Sequence, residues 1–215
     1  MAWGPWITDV NEDLIVGRGY RYWVDDDVNR DETIQFTGIL NTKLHYRNGK
    51  FYDLEFTLGH GLNLISNPYP SALNANIHSW TKTNVANSVW VWDATAGNYV
   101  YWNGTENPSG SGYGTLTGGI IPAMQGFFIE ATGANPSLTM PQSSRAHDSQ
   151  NFYKSFGSGN LIRLNVSGNG YKDALFVLFE QEATTGFDAA YDVKKIYGLD
   201  EAPQLFSYAE FFECQ

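Results

Sequence analysis

The segment GLNLISNPYP, residues 61–70, joins a strand pattern to a turn that two prolines fix. Leu62 and Leu64 flank Asn63 at the two-residue period of a strand. Pro68 and Pro70 lack backbone N–H donors, and each pushes the residue before it out of the helical region. A strand can therefore enter this segment but cannot continue through it. We expect a sharp corner here, between two β-rich stretches.

Strand patterns separated by turn residues lie on both sides of this corner. Runs of β-branched and aromatic residues are typical of strands, and an Asn-Gly pair such as Asn48-Gly49 is typical of a hairpin turn. The expected strands are residues 19–24, 33–37, 40–46, 51–58, 90–93, 99–102, 120–131, 137–140, 160–167 and 174–180. After the corner, residues 72–81 leave room for a helical turn. The pattern predicts an all-β fold, an antiparallel β-sandwich or jelly roll.

The residue composition changes near residues 148–158, where polar residues and glycines interrupt the strand patterns. We expect residues 1–150 to form a β-sandwich module and residues 151–215 a smaller β-rich segment packed beside it. The second piece is short for an independent domain. It either pairs with the first unit or is the start of a truncated second domain.

An internal echo suggests that the sandwich has two similar halves. Gly19-Tyr20, followed by residues 34–36, is matched in pattern by Gly126-Phe127, followed by residues 138–140. In each case a glycine precedes an aromatic strand, and a short alternating strand comes after a polar loop. Such a repeat predicts a duplicated sandwich or two similar sheets.

Charge and composition exclude several classes of function. The 13 Lys+Arg against 23 Asp+Glu give a formal net charge of -10, which repels phosphate backbones and anionic bilayers. No apolar run approaches the ~18 residues of a membrane-spanning helix. We therefore expect neither nucleic acid as a partner nor insertion into a membrane. The single cysteine, Cys214, cannot form an internal disulfide, so packing must hold the fold.

Aromatic residues, 15% of the chain, concentrate between residues 80 and 113. Sugars can stack on Trp and Tyr rings, which offer a large rigid apolar surface at low entropic cost. Alternate residues of a strand share a face, so Trp90 and Trp92 are expected to point together. Tyr99 and Tyr101 likewise share a face. The expected ligand-binding residues are Trp90, Trp92, Tyr99, Tyr101, Trp102 and Tyr113.

Alternatively, each of these rings is buried in the sandwich core, where large aromatic side chains commonly lie. Trp102, Asn103 and Tyr113 flank a Ser-Gly loop at residues 109–112, so we expect them to be the most exposed of the group. Exposure in a row or groove would favour binding. Burial would favour a structural role.

A loop at residues 25–32 is rich in the oxygen ligands that a hard cation such as Ca²⁺ takes. Its spacing is not that of an EF-hand, and acidic hairpin tips are commonly only hydrated. We therefore expect either no cofactor or a bound Ca²⁺ in this loop. Asp188 with Asp192 is a weaker second candidate for a calcium site. The candidate metal ligands of the loop are Asp25, Asp27, Asn29 and Asp31.

The sequence carries no recognised catalytic pattern. No serine has glycines at both offsets of Gly-x-Ser-x-Gly, and the four histidines lie far apart with no His-x-x-x-His pair. A glycosidase needs two facing carboxylates, for which Glu55, Asp93 and Glu130 are the candidates. We expect a protein that is not an enzyme.

The segments Asn67-Pro68-Tyr69-Pro70 and Gly186-Phe187-Asp188, with residues 121–128 between them, support a family resemblance. In this order they resemble a β-rich module near the C-terminal ends of large secreted proteins of Bacteroidota, which the type IX secretion system exports. Where such modules usually carry Gly-Trp-Asn, this chain has Gly61-Leu62-Asn63. The resemblance implies an extracellular or cell-surface location within a larger secreted protein. It carries over no catalytic residue.

Together these patterns predict a non-catalytic extracellular attachment module, either polysaccharide-binding or adhesive. One alternative is a structural spacer or assembly module of a large secreted surface protein. A second is a carbohydrate-active enzyme, which would need a deep pocket with convergent carboxylates or a metal. The orientation of the aromatic side chains separates the first two.

Overall fold

The computed structural model describes residues 12–21, 46–47, 50–51, 53–104, 114–147, 161–179 and 183–215. Its strands, in chain order, are β1 (Tyr46–Arg47), β2 (Lys50–Phe51), β3 (Leu54–Thr57), β4 (Gly61–Ser66), β5 (Ala72–Asn74), β6 (Thr81–Thr83), β7 (Val85–Asp93), β8 (Asn98–Asn103), β9 (Ile120–Ile121), β10 (Gly126–Ala131), β11 (Ser137–Met140), β12 (Arg145–Ala146), β13 (Leu161–Gly168), β14 (Tyr171–Leu178), β15 (Ser207–Ala209) and β16 (Phe212–Cys214). Short 3₁₀ turns occur at Ile77–Ser79, Thr117–Gly119 and Gln142–Ser144, and these ranges contain no α-helix. Every strand pairing is antiparallel. The predicted all-β fold class is confirmed.

The corner lies where the proline segment predicts it, because β4 ends at Ser66. Asn67 is fully buried, and its Nδ2 donates hydrogen bonds to the carbonyls of Ser71 and Pro122, each at 2.9 Å. Its Oδ1 accepts the backbone N–H of Tyr69 at 3.0 Å. One side chain thus supplies partners that the two prolines remove from the turn.

The central element is a four-stranded sheet in the order β4-β10-β7-β8, and both of its faces are covered. Alternate residues of β7 show this most clearly. Val89 and Val91 pack into one hydrophobic core, while Trp90 between them packs into another. The sheet is therefore the middle layer of the fold rather than a half-exposed surface.

The first core lies between this sheet and two three-stranded sheets, β3-β11-β6 and β12-β5-β9. Leu138 and Met140 of β11 are fully buried there, opposite Phe127 and Ile129 of β10. This sheet-on-sheet packing is the predicted sandwich.

The second core packs the C-terminal segment against the other face of the central sheet. Ala174 and Phe176 of β14, together with Val193, contact Trp90 and Tyr101 of the central sheet within one buried cluster. The described C-terminal strands therefore pack beside the sandwich. The predicted boundary at residues 148–158 lies outside the described residues.

Amide side chains tether the C-terminal segment to β8. Asn98 Nδ2 donates to the carbonyls of Lys172 and Pro203 at 3.1 and 3.2 Å. Asn103 Nδ2 donates to those of Ala190 and Tyr191 at 3.3 and 3.1 Å. Both asparagines are buried, so these bonds fix the segment as well as satisfying the backbone.

Two segments near the start of the chain were expected to form strands. Residues 19–21, expected to begin a strand, are irregular, with Arg18 forming an isolated antiparallel bridge to Ile65 of β4. The expected strand at 33–37 lies outside the described residues, and so does that half of the internal echo. No helix in the described part of the chain is long and apolar enough to cross a membrane.

Candidate functional site

The aromatic residues expected to bind a ligand divide into buried and exposed groups. Trp90, Tyr101 and Trp102 are only 1%, 1% and 6% exposed. Trp92 is 38% exposed and Tyr99 is half-buried. Tyr113 lies outside the described residues. Position along the hairpin accounts for this division, because Trp92 and Tyr99 pair next to its turn while Trp90 and Tyr101 pair farther from it.

Trp90 and Tyr101 are directly opposed across β7 and β8 and point toward the C-terminal segment. The Tyr101 ring packs edge-on against Phe176 at a centroid distance of 6.1 Å. Trp90 Nε1 donates to the Lys194 carbonyl at 3.1 Å. Both rings therefore belong to the second core.

Trp102 points the other way, into the first core, where its Nε1 donates to Asn76 Oδ1 at 3.0 Å. Gly119 lies flat against this ring, and a Cβ at that position would come within 2.5 Å of it. Asn103 is fully buried by its contacts to the C-terminal segment. The expectation that Trp102 and Asn103 are exposed was wrong, because both faces of the sheet are covered.

Among the predicted rings that the structure describes, only Trp92 and Tyr99 are partly exposed. The two rings meet edge-on at 5.1 Å at the turn end of the hairpin, and Tyr99 contacts Phe128 at 5.8 Å. Burial raises the pKa of Tyr99, with Arg21 opposing that effect. This pair is a small apolar surface and not a row of rings.

The acidic candidates do not form a metal or catalytic site within the described ranges. Asp25, Asp27, Asn29 and Asp31 lie outside these ranges. Asp192 Oδ2 accepts the Asp188 N–H at 2.6 Å, and Asp188 Oδ1 accepts the Ala190 N–H at 2.9 Å, so both carboxylates stabilise a turn. No group of three or more His, Cys, Asp or Glu residues in this part of the chain could hold a metal ion.

The three carboxylates considered for a glycosidase lie on three different strands. Asp93 Oδ1 accepts the N–H groups of Thr95 and Ala96 in the turn after β7. Glu130 Oε1 forms an ion pair with Lys194 at 2.6 Å. Glu55 is on β3, in another sheet.

An exposed aromatic surface lies instead on the C-terminal hairpin of β15 and β16. Tyr208 and Glu213 are directly opposed in this hairpin, on its outer face. Tyr208 is 69% exposed, and Tyr197, which approaches the same face, is 50% exposed. Phe206 contacts both tyrosine rings, at 6.0 Å from Tyr197 and 5.5 Å from Tyr208. We call Tyr197, Phe206, Tyr208 and Glu213 the tyrosine face.

Hydrogen bonds to one carboxylate hold the two phenols of the tyrosine face. Tyr208 OH donates to Glu213 Oε1 at 3.2 Å, and Tyr197 OH donates to Glu213 Oε2. The hydrogen bond to Glu213 is the main reason that the pKa of Tyr197 rises to about 12, and it also raises the pKa of Tyr208. Both phenols therefore stay neutral donors throughout the physiological pH range.

The sequence holds a weak signal for this hairpin. Phe206 and Tyr208 have the two-residue spacing of a strand face, but the turn that follows is Glu210-Phe211 and not an Asn-Gly pair. Glu210 adopts a left-handed φ of 54°, which is uncommon for a non-glycine residue. Turn chemistry alone therefore could not reveal that Glu213 faces Tyr208.

Comparison with known proteins gives one match. Neither a curated protein nor a solved structure matches the chain. The family described as Domain of unknown function (DUF8693) matches residues 2–211, which is nearly the whole length. The chain belongs to this family, DUF8693.

Proposed function

We propose that the chain is a non-catalytic extracellular attachment module that binds polysaccharide through the tyrosine face. The observation that carries the proposal is the pair of exposed phenol rings, Tyr197 and Tyr208, hydrogen-bonded to the single carboxylate of Glu213. Exposed aromatic rings beside a hydrogen-bond acceptor match the two kinds of surface that a sugar presents, its apolar ring face and its hydroxyls.

The rings are held before any ligand arrives. Glu213 fixes both hydroxyls, and Phe206 supports the two rings edge-on. Side chains that are already ordered lose less conformational entropy on binding, which raises the affinity of a small surface. A hydroxyl of the sugar can still donate to the remaining lone pairs of the phenol and carboxylate oxygens.

Charge favours a neutral polymer. The chain carries a formal net charge of -10, and the tyrosine face adds a carboxylate at its centre. An anionic polysaccharide would be repelled by both. The ligand class proposed is therefore an uncharged polysaccharide. The chain would meet it outside the cell or at the cell surface, where the chain forms part of a larger secreted protein. The resemblance to modules of secreted Bacteroidota proteins supports that location.

Retention on polysaccharides tests the proposal. The protein would be run through native gels containing a panel of soluble neutral polysaccharides, and mixed with insoluble ones. We expect retardation by at least one polymer, and we expect Tyr208→Ala and Tyr197→Ala each to weaken it by ~1–3 kcal/mol, as for other aromatic stacking platforms. Melting temperatures should stay near that of the wild type, since both rings are exposed.

Two control variants sharpen the assay. Trp92→Ala removes an exposed ring on a different strand pair and should leave retention unchanged. Tyr208→Phe keeps the ring but loses the hydroxyl, and should retain most of the stacking contribution. If no polymer retards the folded wild-type protein, the attachment proposal fails.

A structural spacer of a large secreted protein is the second candidate. It is favoured by the burial of Trp90, Tyr101 and Trp102, the rings expected to form the binding surface. A spacer predicts no retention on any polysaccharide, with a cooperative and stable fold. The same gels therefore decide between the two functions.

A further inference from the structure

A cavity of about 150 Å³ lies under the inner face of the C-terminal hairpin. Ser207 and Cys214 of the hairpin line it, and these two residues alternate with Tyr208 and Glu213 along their strands. The cavity and the tyrosine face are therefore on opposite sides of one hairpin. Nothing in the proposed attachment surface uses this cavity.

An unpartnered amide lines the cavity. Gln215 is 4% exposed, and among the residues that the structure describes neither its side-chain nitrogen nor its side-chain oxygen has a hydrogen-bond partner. Buried amides are nearly always hydrogen-bonded, because an unsatisfied buried donor or acceptor costs free energy. A ligand that both donates and accepts hydrogen bonds would satisfy both atoms.

The rest of the wall combines aromatic and hydroxylated side chains. Tyr101 and Phe176, packed edge-on, supply apolar ring surface, while Thr184 and Ser207 supply hydroxyls. The Asp192 carboxyl also lines the cavity, and burial is the main cause that raises its pKa. Among the described residues no Lys or Arg lines the cavity, so an anionic ligand would lack a counter-charge.

We propose that this cavity is a second binding site, which takes one neutral polyhydroxylated molecule of the size of a monosaccharide. Pockets for drug-sized ligands measure about 300–1,000 Å³, so this smaller space admits one sugar unit rather than a stretch of polymer. The sugar's apolar ring face lies against Tyr101 and Phe176, and its hydroxyls bond the Gln215 amide. The site goes beyond the attachment proposal, because it binds free sugar without the tyrosine face.

Titration with free monosaccharides tests the site. The ¹⁵N-labelled protein would be titrated separately with D-glucose, D-galactose, D-mannose and D-xylose. We expect at least one sugar to shift the side-chain amide signals of Gln215 and the backbone amide of Asp192 in a saturable way. Gln215→Leu, which keeps the volume but removes the amide, should weaken that sugar at least about tenfold, or ~1.4 kcal/mol.

Two further variants complete the experiment, one as a control outside the cavity and one that fills it. Tyr208→Ala, on the opposite side of the hairpin, should bind the free sugar as the wild type does. Ala183→Leu inserts a larger side chain into the wall and should abolish binding, which gives a second test if Gln215→Leu does not fold. Saturable binding that both cavity variants weaken supports the proposal.

Two results would overturn it. One is that none of the four sugars shifts the cavity resonances. The other is that a sugar binds equally well to Gln215→Leu and Ala183→Leu, which would put its site elsewhere. Neither result bears on attachment, which is measured by polysaccharide retention and its loss in Tyr208→Ala.

Discussion

Lys195 Nζ lies 2.6 Å from Asp173 Oδ2, and the two side chains are 0% and 5% exposed. The same Asp173 oxygen accepts the Leu205 N–H at 2.7 Å, and Oδ1 accepts the Ala174 N–H at 2.9 Å. One carboxylate thus joins β14 to two parts of the irregular C-terminal segment. Because the hairpin that carries the tyrosine face follows Leu205, this ion pair anchors the base of the proposed site.

Removing one partner of this pair should strongly destabilise the protein. We expect Asp173→Ala to lower the free energy of unfolding by about 3–5 kcal/mol, since it leaves a buried ammonium unpaired. The double variant Asp173→Ala/Lys195→Met should recover part of that loss, because the uncompensated charge is gone. Urea unfolding of the wild type, both single variants and the double variant measures the coupling.

The neighbouring pair Lys194–Glu130 is the matched control, with Lys194 32% exposed along its side chain. Glu130→Gln should cost clearly less than Asp173→Ala, because the Lys194 and Glu130 side chains are 32% and 13% exposed and solvent partly screens the pair. If the two pairs cost the same, the anchoring role of Asp173 is wrong.

The corner of the fold was predictable from its sequence because local chemistry determines it. Pro68 and Pro70 stop β4 whatever packs around them, and the expected hairpin at residues 90–102 forms from period-two aromatic runs. In contrast, the exposure of Trp102 depends on a second layer that no local pattern encodes. Its place beside the Ser-Gly loop predicted exposure, whereas both faces of this sheet are covered.

The candidate site was harder to predict than the fold. Tyr197 and Glu213 are 16 residues apart and meet only because the C-terminal segment folds back on itself. Their aromatic neighbours show strand spacing, but the pairing depends on a left-handed Glu210 that lacks a turn signature. A composition rich in aromatics indicated binding, yet it could not separate the rings of the core from those of the surface.

The Asn67 side chain should be as important to the corner as the prolines. Asn67→Ala removes the donors to Ser71 and Pro122 and the acceptor for Tyr69, inside a fully buried site. Each partner left unsatisfied costs about 1–3 kcal/mol, so unfolding should occur at clearly lower urea. Asn63→Ala, which removes hydrogen bonds to Gly59 near the surface, is the control and should cost much less. Equal losses in the two variants would contradict the buried role of Asn67.

Truncating the buried aromatic rings should lower stability and should not affect polysaccharide retention by the tyrosine face. Trp102→Ala and Tyr101→Ala should each cost ~3–5 kcal/mol, as expected for large aromatic cavities in a core. The half-exposed Trp92→Ala should cost far less. Thermal melting and polysaccharide retention are measured on the same samples. A stable Trp102→Ala protein that no longer binds polysaccharide would show that this ring belongs to the binding surface after all.

The only cysteine of the chain should be unreactive while the hairpin is closed. Burial is the main cause that raises the pKa of Cys214 to about 11, and the Asp192 charge adds to it. Compared with an ordinary thiol, about a hundredfold less thiolate is then present at pH 8. We expect no modification by iodoacetamide in the native state and one adduct per chain in urea, as read by mass spectrometry. Prompt native labelling would mean that the thiolate is reached in the folded protein, either through the cavity that Cys214 lines or by opening of β15 and β16.

The hydrogen bonds of the tyrosine face should be lost at high pH. Tyr197 is exposed, yet its pKa is raised from 10.0 to about 12, chiefly by its hydrogen bond to Glu213. Because the folded-state pKa lies above the unfolded value, the stabilisation is complete below pH 10 and is lost as the pH rises toward 12. In Glu213→Gln the carboxylate is gone, so the pKa values of Tyr197 and Tyr208 should both fall toward 10. The ¹³Cζ signals of labelled tyrosines report each titration. Tyr69 is the internal control, since burial is the main cause that raises its pKa to about 12 and Glu213 is not among the causes. If Tyr197 keeps its raised pKa in Glu213→Gln while Tyr69 is unchanged, Glu213 does not hold the two phenols in place.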